Sequence, residues 1–175
     1  MKNSIALVGF MGTGKSEVGK ALADKTGKEL LEMDSLIEQK AGKTIPEVFK
    51  QDGEIHFREL EIEVAREVSG QKNVVVTCGA GAVVNTINID RLREEFVIIC
   101  LTASPEVILK RTTADGDTRP MLWSEDRVLR IRELLKFRQP FYDRAADFKM
   151  SSSKLSADTI ADKIIKRLKK NESCH

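Results

Sequence analysis

Cysteine and histidine are scarce in this 175-residue chain, and their scarcity excludes two classes of protein. The three cysteines, Cys78, Cys100 and Cys174, are far apart and odd in number, which does not suit a disulfide framework. The two histidines are distant from each other, so the sequence shows no metal-ligand spacing. Cys78 and Cys100 lie in or beside apolar runs, where we expect buried thiols. These features together predict a cytoplasmic protein.

Strong net charge and long apolar runs are also missing. The formal charge of +2 is too small to indicate a nucleic-acid partner by itself. No apolar stretch is long enough to cross a membrane, and a strand-like run begins almost at the N-terminus, so we expect neither a membrane partner nor a signal peptide. The length predicts one domain over residues 1–175 with a sizeable core.

The most informative stretch that is present is residues 9–16 (GFMGTGKS), which match the phosphate-binding pattern G-x-x-x-x-G-K-[ST] at every position. An apolar run at residues 5–8 predicts a strand before this loop, and an amphipathic stretch at residues 15–26 predicts a helix after it. Main-chain N–H groups then surround a polyphosphate, Lys15 reaches the outer phosphates and Ser16 offers its hydroxyl to Mg²⁺. The residues predicted to bind ATP here are Gly12, Thr13, Gly14, Lys15, Ser16 and Glu17.

Short apolar runs alternate with amphipathic stretches along the rest of the chain, which favours a parallel sheet with helices on both faces. We predict strands at residues 4–8, 29–31, 73–77, 96–101 and 148–150. We predict helices at residues 15–26, 35–41, 44–50, 55–69, 105–111, 124–136 and 157–170. The polar, glycine-containing stretch that follows the fifth helix is either a surface loop or a mobile lid, and we interpret residues 112–124 as a lid loop over the nucleotide.

A phosphate loop alone leaves kinases, GTPases and ATPases open. The guanine-reading pattern N-K-x-D is missing, which argues against a GTPase. The third strand ends at residues 77–79 (TCG) without the acidic residue of a Walker-B strand. The carboxylates that handle magnesium must therefore come from elsewhere, and the end of the second strand supplies Glu32 and Asp34.

Five further blocks, in order along nearly the whole chain, resemble the shikimate kinase family. Residues 32–38 (EMDSLIE) resemble D-[ST]-D-x-x-I-E, residues 53–61 (GEIHFRELE) resemble G-E-x-x-F-R-x-x-E, and residues 79–82 (GAGA) resemble G-G-G-[AS]. Residues 119–122 (RPML) resemble R-P-L-L, and residues 138–147 (RQPFYDRAAD) resemble R-x-P-L-Y-x-x-x-A-D. The phosphate loop is generic, whereas the second and the last of these blocks are specific to the family.

The resemblance implies an α/β fold of the P-loop kinase type, with a five-stranded parallel sheet in the order 2-3-1-4-5, helices on both faces and a lid. It implies a substrate-binding helical region at residues 33–61. The implied reaction is ATP-dependent phosphorylation of the shikimate 3-hydroxyl, giving shikimate 3-phosphate and ADP for chorismate and aromatic amino acid biosynthesis. It further implies Mg²⁺ as cofactor, ATP and shikimate as ligands, and a monomer.

Two arginines are the candidates for binding the acceptor's carboxylate, because a guanidinium group can hold a carboxylate through two hydrogen bonds. Spacing alone favours an exposed surface charge for both Arg58 and Arg138, and the resemblance makes them substrate ligands. The resemblance also implies that Glu61 orients Arg58. The loop that it implies to hold shikimate comprises Gly79, Ala80 and Gly81.

Catalysis is assigned to three side chains. Asp34 would hydrogen-bond the reacting hydroxyl and take its proton, although its position also permits capping of the next helix. Lys15 and Arg119 would neutralise the charge that grows on the transferred phosphoryl group. Arg111 resembles the family arginine that packs against adenine, and the alternative for it is a solvated residue at a helix end. Ser16 and Glu32 are the predicted metal-binding residues.

Two positions depart from the family pattern. Glu32 stands where the family usually has Asp, which shifts a carboxylate in the predicted metal site. Ala80 replaces the middle glycine of the substrate loop, where its Cβ would either prevent a positive φ or crowd the acceptor. Two alternatives to a shikimate kinase therefore stay open: a related kinase of another small hydroxy acid such as gluconate, and a catalytically degenerate nucleotide-binding module.

Overall fold

One parallel β-sheet of five strands organises the structure, a computed structural model that describes residues 2–116 and 119–172. The strands are β1 (Ser4–Gly9), β2 (Glu29–Glu32), β3 (Val74–Thr77), β4 (Phe96–Thr102) and β5 (Phe148–Ser151). Their order in the sheet is β2-β3-β1-β4-β5. The predicted fold class and strand order are therefore confirmed.

Eight α-helices connect and cover these strands within the described residues. They are α1 (Lys15–Thr26), α2 (Met33–Ala41), α3 (Ile45–Gln51), α4 (Gly53–Ser69), α5 (Thr86–Glu95), α6 (Pro105–Ala114), α7 (Arg127–Ala145) and α8 (Ala157–Glu172). Two short 3₁₀ turns, Ala82–Val84 and Pro120–Leu122, follow β3 and precede α7. None of the helices in the described ranges combines the length and the apolar character that crossing a bilayer requires.

The sheet is buried on both faces because its central strands carry continuous apolar runs. Alternate residues of β1 point to opposite sides: Ala6 and Val8 face one core, and Ile5 and Leu7 face the other. The core on the Ala6 side is closed mainly by α2, α4, α5 and α7, and the core on the Ile5 side is closed by α1 and α8. The predicted covering of both faces is confirmed.

The prediction from the sequence missed one helix and misplaced the starts of three others, α2, α4 and α7, by two or three residues. Helix α5 (Thr86–Glu95) was not predicted, although Asn85 caps it by accepting a hydrogen bond from the Ile87 N–H at 3.0 Å. Helix α7 begins at Arg127, where Asp126 accepts from the Leu129 N–H at 2.9 Å, and it continues through Pro140. Helix α2 begins two residues before its predicted start.

Because α2 begins earlier than predicted, the interpretation of Asp34 as its helix cap is wrong. The N-cap position belongs to Glu32, whose side chain makes no capping hydrogen bond, and Asp34 lies inside the first turn. Asp34 is therefore not the helix cap that its position in the sequence permitted.

The segment interpreted as a lid is held at both ends. Its first residues belong to α6, and its last residues form the 3₁₀ turn with Leu122 buried. Arg127 donates to the Thr112 carbonyl at 3.0 Å, and Arg130 donates to the Met121 carbonyl at 3.1 Å. Residues 117 and 118 of this segment lie outside the described residues, as does Cys174.

Candidate active site

The phosphate loop lies between β1 and α1, and two glycines give it its shape. Gly12 and Gly14 have φ values of 76° and 86°, in the left-handed region that other residues rarely adopt. Thr13 is 1% exposed, and its hydroxyl donates to the Phe10 carbonyl at 2.7 Å, so this side chain braces the loop from inside. The loop opens onto a cavity of about 370 Å³, the donor cavity. Its lining includes Gly12, Gly14, Lys15, Ser16, Glu32, Asp34, Ala80 and Arg119.

Lys15 lies in the donor cavity and folds over its own loop. Its ammonium group donates to the carbonyls of Gly9 and Phe10 at 2.8 and 3.0 Å. Burial lowers the pKa of Lys15 to about 8, although the nearby Asp34 carboxylate acts in the opposite direction. Carbonyl oxygens carry no formal charge, so they do not neutralise the positive charge of Lys15. This charge favours the binding of a phosphate.

The oxygen-bearing side chains that line the donor cavity include Ser16, Glu32 and Asp34. Partial loss of hydration raises the pKa of Asp34, although its side chain still reaches solvent through the open cavity. The Lys15 and Arg119 charges oppose that rise. Across residues 2–116 and 119–172 no cluster of three or more His, Cys, Asp or Glu side chains is placed to hold a metal ion. Mg²⁺ usually binds one or two carboxylates together with phosphate and water oxygens, so a hydroxyl and two carboxylates fit that ion.

A second cavity of about 430 Å³, the acceptor cavity, opens beside the first. It lies among α2, α3, α4, α7 and the loop after β3, and its lining includes Ser35, Glu38, Ile45, Phe49, Phe57, Arg58, Glu61, Gly79, Ala80, Gly81, Met121 and Arg138. The two cavities share five residues: Met11, Asp34, Ser35, Ala80 and Arg119. A group bound in one cavity therefore faces a group bound in the other across Asp34 and Arg119.

Arg58 is oriented by carboxylates of its own helix, α4. It donates to Glu61 at 2.9 Å and to Glu54 at 3.3 Å, and its guanidinium carbon lies 5.1 Å from the centre of the Phe57 ring. Glu61 is only 2% exposed, and burial raises its pKa while the Arg58 charge opposes the rise. The predicted positioning role of Glu61 agrees with this geometry.

Arg138 reaches the same cavity from α7 and is 2% exposed. Its Nε and Nη1 atoms are buried and have no hydrogen-bond partner among the described residues. Burial lowers the pKa of Arg138, but an arginine remains charged at neutral pH. Buried donors without partners are costly, and a carboxylate ligand would satisfy them.

The loop after β3 approaches the charged residues so closely that a side chain at two of its positions would displace them. A Cβ at Gly81 would lie 2.5 Å from Nη1 of Arg58. A Cβ at Gly79 would lie 3.0 Å from Glu61 and 3.1 Å from Asp34. Ala80, between them, does not have a positive φ, so its methyl group causes no backbone strain and instead lines both cavities.

Arg119 and Arg111 hold different parts of the donor side. Arg119 lines both cavities and is paired with Asp115 through its Nε at 3.2 Å. Arg111 is no solvated helix end: it donates to the Gly12 carbonyl at 3.0 Å and to the Ser152 hydroxyl and carbonyl at 3.1 and 2.9 Å. Arg111 thus ties the phosphate loop to the residue that follows β5.

The structure brings most of the predicted site residues to these two cavities, and it adds others. Three of the predicted residues, Thr13, Glu17 and Arg111, do not line either cavity. Phe49 and Phe57 form an apolar wall with ring centroids 4.7 Å apart. Phe57 belongs to residues 53–61, which resemble one of the family blocks. Phe49 lies on α3, and the sequence of that helix contains no pattern that predicts contact with a ligand. Its role depends on the packing of α3 against α4, which no local pattern reveals.

Comparison with known proteins gives one consistent family. The family model described as shikimate kinase matches residues 11–169. A shikimate kinase of Pelotomaculum thermopropionicum is 41% identical over 171 residues, covering 98% of each chain, and one of Caldanaerobacter subterraneus is 44% identical over 166 residues, covering 95% of each. The solved structure of a shikimate kinase from Acinetobacter baumannii in complex with shikimate has a TM-score of 0.93 and 36% identity, covering 98% of this chain and 95% of its own.

Proposed function

The chain belongs to the shikimate kinase family, and from this premise we propose that it transfers the γ-phosphoryl group of ATP to the 3-hydroxyl of shikimate. The family assignment and the phosphorylation of shikimate with ATP agree with the prediction from the sequence. The observation that carries the proposal is the junction of the two cavities at Asp34 and Arg119. A phosphate chain on one side and a hydroxy acid on the other meet there without a covalent enzyme intermediate.

The donor half of the reaction uses the phosphate loop. We propose that the main-chain N–H groups of residues 12–17 bind the phosphates and that Lys15 leaves its carbonyl partners to contact the β- and γ-phosphates. Ser16 and Glu32 would hold Mg²⁺, which neutralises phosphate charge when it is bound. Arg111 would fix the loop through Gly12 and present a guanidinium face to adenine.

The acceptor half uses paired guanidinium groups. We propose that Arg58 and Arg138 bind the shikimate carboxylate, with Glu61 fixing the orientation of Arg58. The loop of Gly79, Ala80 and Gly81 would lie against the ring. These contacts support an acceptor that carries a carboxylate at one end and hydroxyl groups at the other.

Asp34 and Arg119 would act at the point of transfer. Asp34 accepts a hydrogen bond from the 3-hydroxyl and takes its proton as the oxygen attacks, and a raised pKa suits that proton transfer. Arg119 stabilises the charge that spreads over the phosphoryl oxygens. Its pairing with Asp115 must open for that contact, which is consistent with a segment that moves over the nucleotide.

The test is a coupled assay of ADP release with ATP, Mg²⁺ and a panel of acceptors. We expect turnover with shikimate, little with gluconate, and loss of most activity with shikimate methyl ester, because the ester removes the charge that Arg58 and Arg138 bind. Equal turnover with shikimate and its ester would contradict the two-arginine site. ATP binding without ADP formation for any acceptor would instead support the degenerate module.

We also propose a cytoplasmic monomer. Cys78 and Cys100 are buried free thiols, which suits a reducing compartment. Residues of this one chain line both cavities, so no second copy is needed to complete the site. Sedimentation of the purified protein with and without shikimate tests the monomer, and a dimer that persists at nanomolar concentration would contradict it.

A further inference from the structure

The only tyrosine of the chain, Tyr142, links the helix that carries Arg138 to the loop that lies against the acceptor cavity. Its hydroxyl donates to the Ala80 carbonyl at 2.6 Å, and the side chain is 3% exposed. Burial raises the pKa of Tyr142 despite the nearby Arg138 charge, so the hydroxyl keeps its proton and acts as the donor. Tyr142 lies one helical turn after Arg138, so both project from the same side of α7.

The Tyr142 hydroxyl donates to the one carbonyl of this loop that accepts no hydrogen bond from the turn that follows. The Gly79 carbonyl accepts from the Ala82 N–H at 3.0 Å, and the Gly81 carbonyl accepts from the Val84 N–H at 3.1 Å. The Ala80 carbonyl between them accepts from Tyr142. The three carbonyls of the loop are thus fixed by two main-chain bonds and one side-chain bond.

Fixing the Ala80 carbonyl also fixes the next N–H group. In a trans peptide the carbonyl of one residue and the N–H of the next point in opposite directions, so the Gly81 N–H points away from Tyr142. Gly81 lines the acceptor cavity, and its α-carbon lies so close to Arg58 that a methyl group there would collide with the guanidinium. Rotation of this peptide would therefore disturb the surface that Arg58 rests on.

We propose that Tyr142 is a positioning residue for the acceptor: its hydroxyl sets the Ala80–Gly81 peptide and so aligns the loop with Arg58 and Arg138. This inference rests on the proposed function, because it concerns how the same site orients shikimate. Tyr142 does not line the acceptor cavity, and it acts through the loop and through the neighbouring Arg138 side chain, with which its hydroxyl also interacts. Ala80 lines both cavities, but Gly81, Arg58 and Arg138 line only the acceptor cavity of the two, so the hydroxyl should affect shikimate more than the nucleotide.

The first test is Tyr142→Phe, which keeps the ring and removes the hydroxyl. We expect the KM for shikimate to rise about tenfold, while the KM for ATP stays within about twofold and kcat changes less than the shikimate KM. Thr26→Val is the matched control, since Thr26 also donates a hydroxyl to a main-chain carbonyl at 2.6 Å, but at the far end of α1. We expect both KM values of that variant to match the wild type.

A purely structural role makes a different prediction. It lowers the melting temperature of both variants and leaves the shikimate KM unchanged, and that outcome would overturn the proposal. Failure of the proposed function is distinct, because then the wild-type protein itself releases no ADP with shikimate.

A second measurement keeps the Tyr142 hydroxyl in place, in case Tyr142→Phe does not fold. Labelling with 3-fluorotyrosine gives one ¹⁹F signal, since the chain has a single tyrosine. We expect this signal to shift when shikimate saturates the protein and to shift much less with a non-hydrolysable ATP analogue. A ¹⁹F chemical shift that does not change with shikimate, or that changes equally with both ligands, would contradict the positioning role.

Discussion

The donor and acceptor cavities share five lining residues, yet the groups that distinguish them come from different parts of the chain. The phosphate-binding wall of the donor cavity is one continuous loop, whose glycines at 12 and 14 adopt positive φ values and present main-chain groups. The acceptor cavity is assembled from four helices and a distant loop, and its charge comes from buried side chains such as Glu61 and Arg138. A main-chain site is specified locally, whereas a side-chain site requires the whole fold. The two sides should therefore respond differently to substitution.

The largest effect is expected on the donor side, at Lys15. Lys15→Ala removes a preorganised charge from the transferred phosphoryl group, and we expect kcat to fall by at least about a hundredfold, since such a contact is worth about 3 kcal/mol. Steady-state kinetics with saturating shikimate measures the change. Lys20→Ala, an exposed lysine of the same helix, is the control and should leave kcat unchanged. A normal kcat in Lys15→Ala would remove this residue from the mechanism.

The contrast between a main-chain site and a side-chain site also explains how much of the two cavities could be predicted from the sequence. The phosphate loop was identified from eight consecutive residues, because strand, turn and helix follow one another along the chain. The roles of Arg58 and Arg138 could be assigned only by family resemblance, because 79 residues separate them and spacing alone favours surface charges. Helix α5 escaped prediction, although its cap at Asn85 was a usable signal. The bond from Tyr142 to Ala80 joins residues 62 positions apart, and no local pattern reveals it.

The next effect belongs to the acceptor side and should leave the donor side intact. Arg58→Ala removes one guanidinium from the carboxylate, and we expect the shikimate KM to rise about thirtyfold, equivalent to about 2 kcal/mol. The KM for ATP should change less than about twofold. Arg66→Ala, an exposed arginine on α4, is the control.

Equal losses of affinity for both ligands in Arg58→Ala would count against a division of labour between the two cavities. The variant also leaves the buried Glu61 carboxylate without its charge partner, so its melting temperature should fall. Measuring KM at a temperature well below that of unfolding separates the loss of binding from the loss of stability.

The donor side should also show its own pH dependence. Burial lowers the pKa of Lys15 to about 8, so raising the pH through 8 discharges this lysine in the free enzyme. We expect kcat/KM for ATP to fall about fivefold between pH 8 and pH 9. Lys15→Arg, whose guanidinium keeps its charge, should lose this alkaline limb in its residual activity. The same limb in both proteins would assign the titration to another group.

The smallest effect is expected at Ala80, where the two cavities meet. Ala80 does not adopt a positive φ, so Ala80→Gly relieves no strain, and it removes only a methyl group from the shared wall. We expect shikimate turnover to rise or to stay within about threefold of the wild-type value. The free energy of unfolding should fall by about 0.5–1 kcal/mol, because glycine increases the conformational entropy of the unfolded chain. Kinetics and thermal unfolding of the same preparation measure both quantities. A sharp fall in turnover would mean that the methyl group contacts the acceptor directly, and that this pocket is shaped for a ligand other than shikimate.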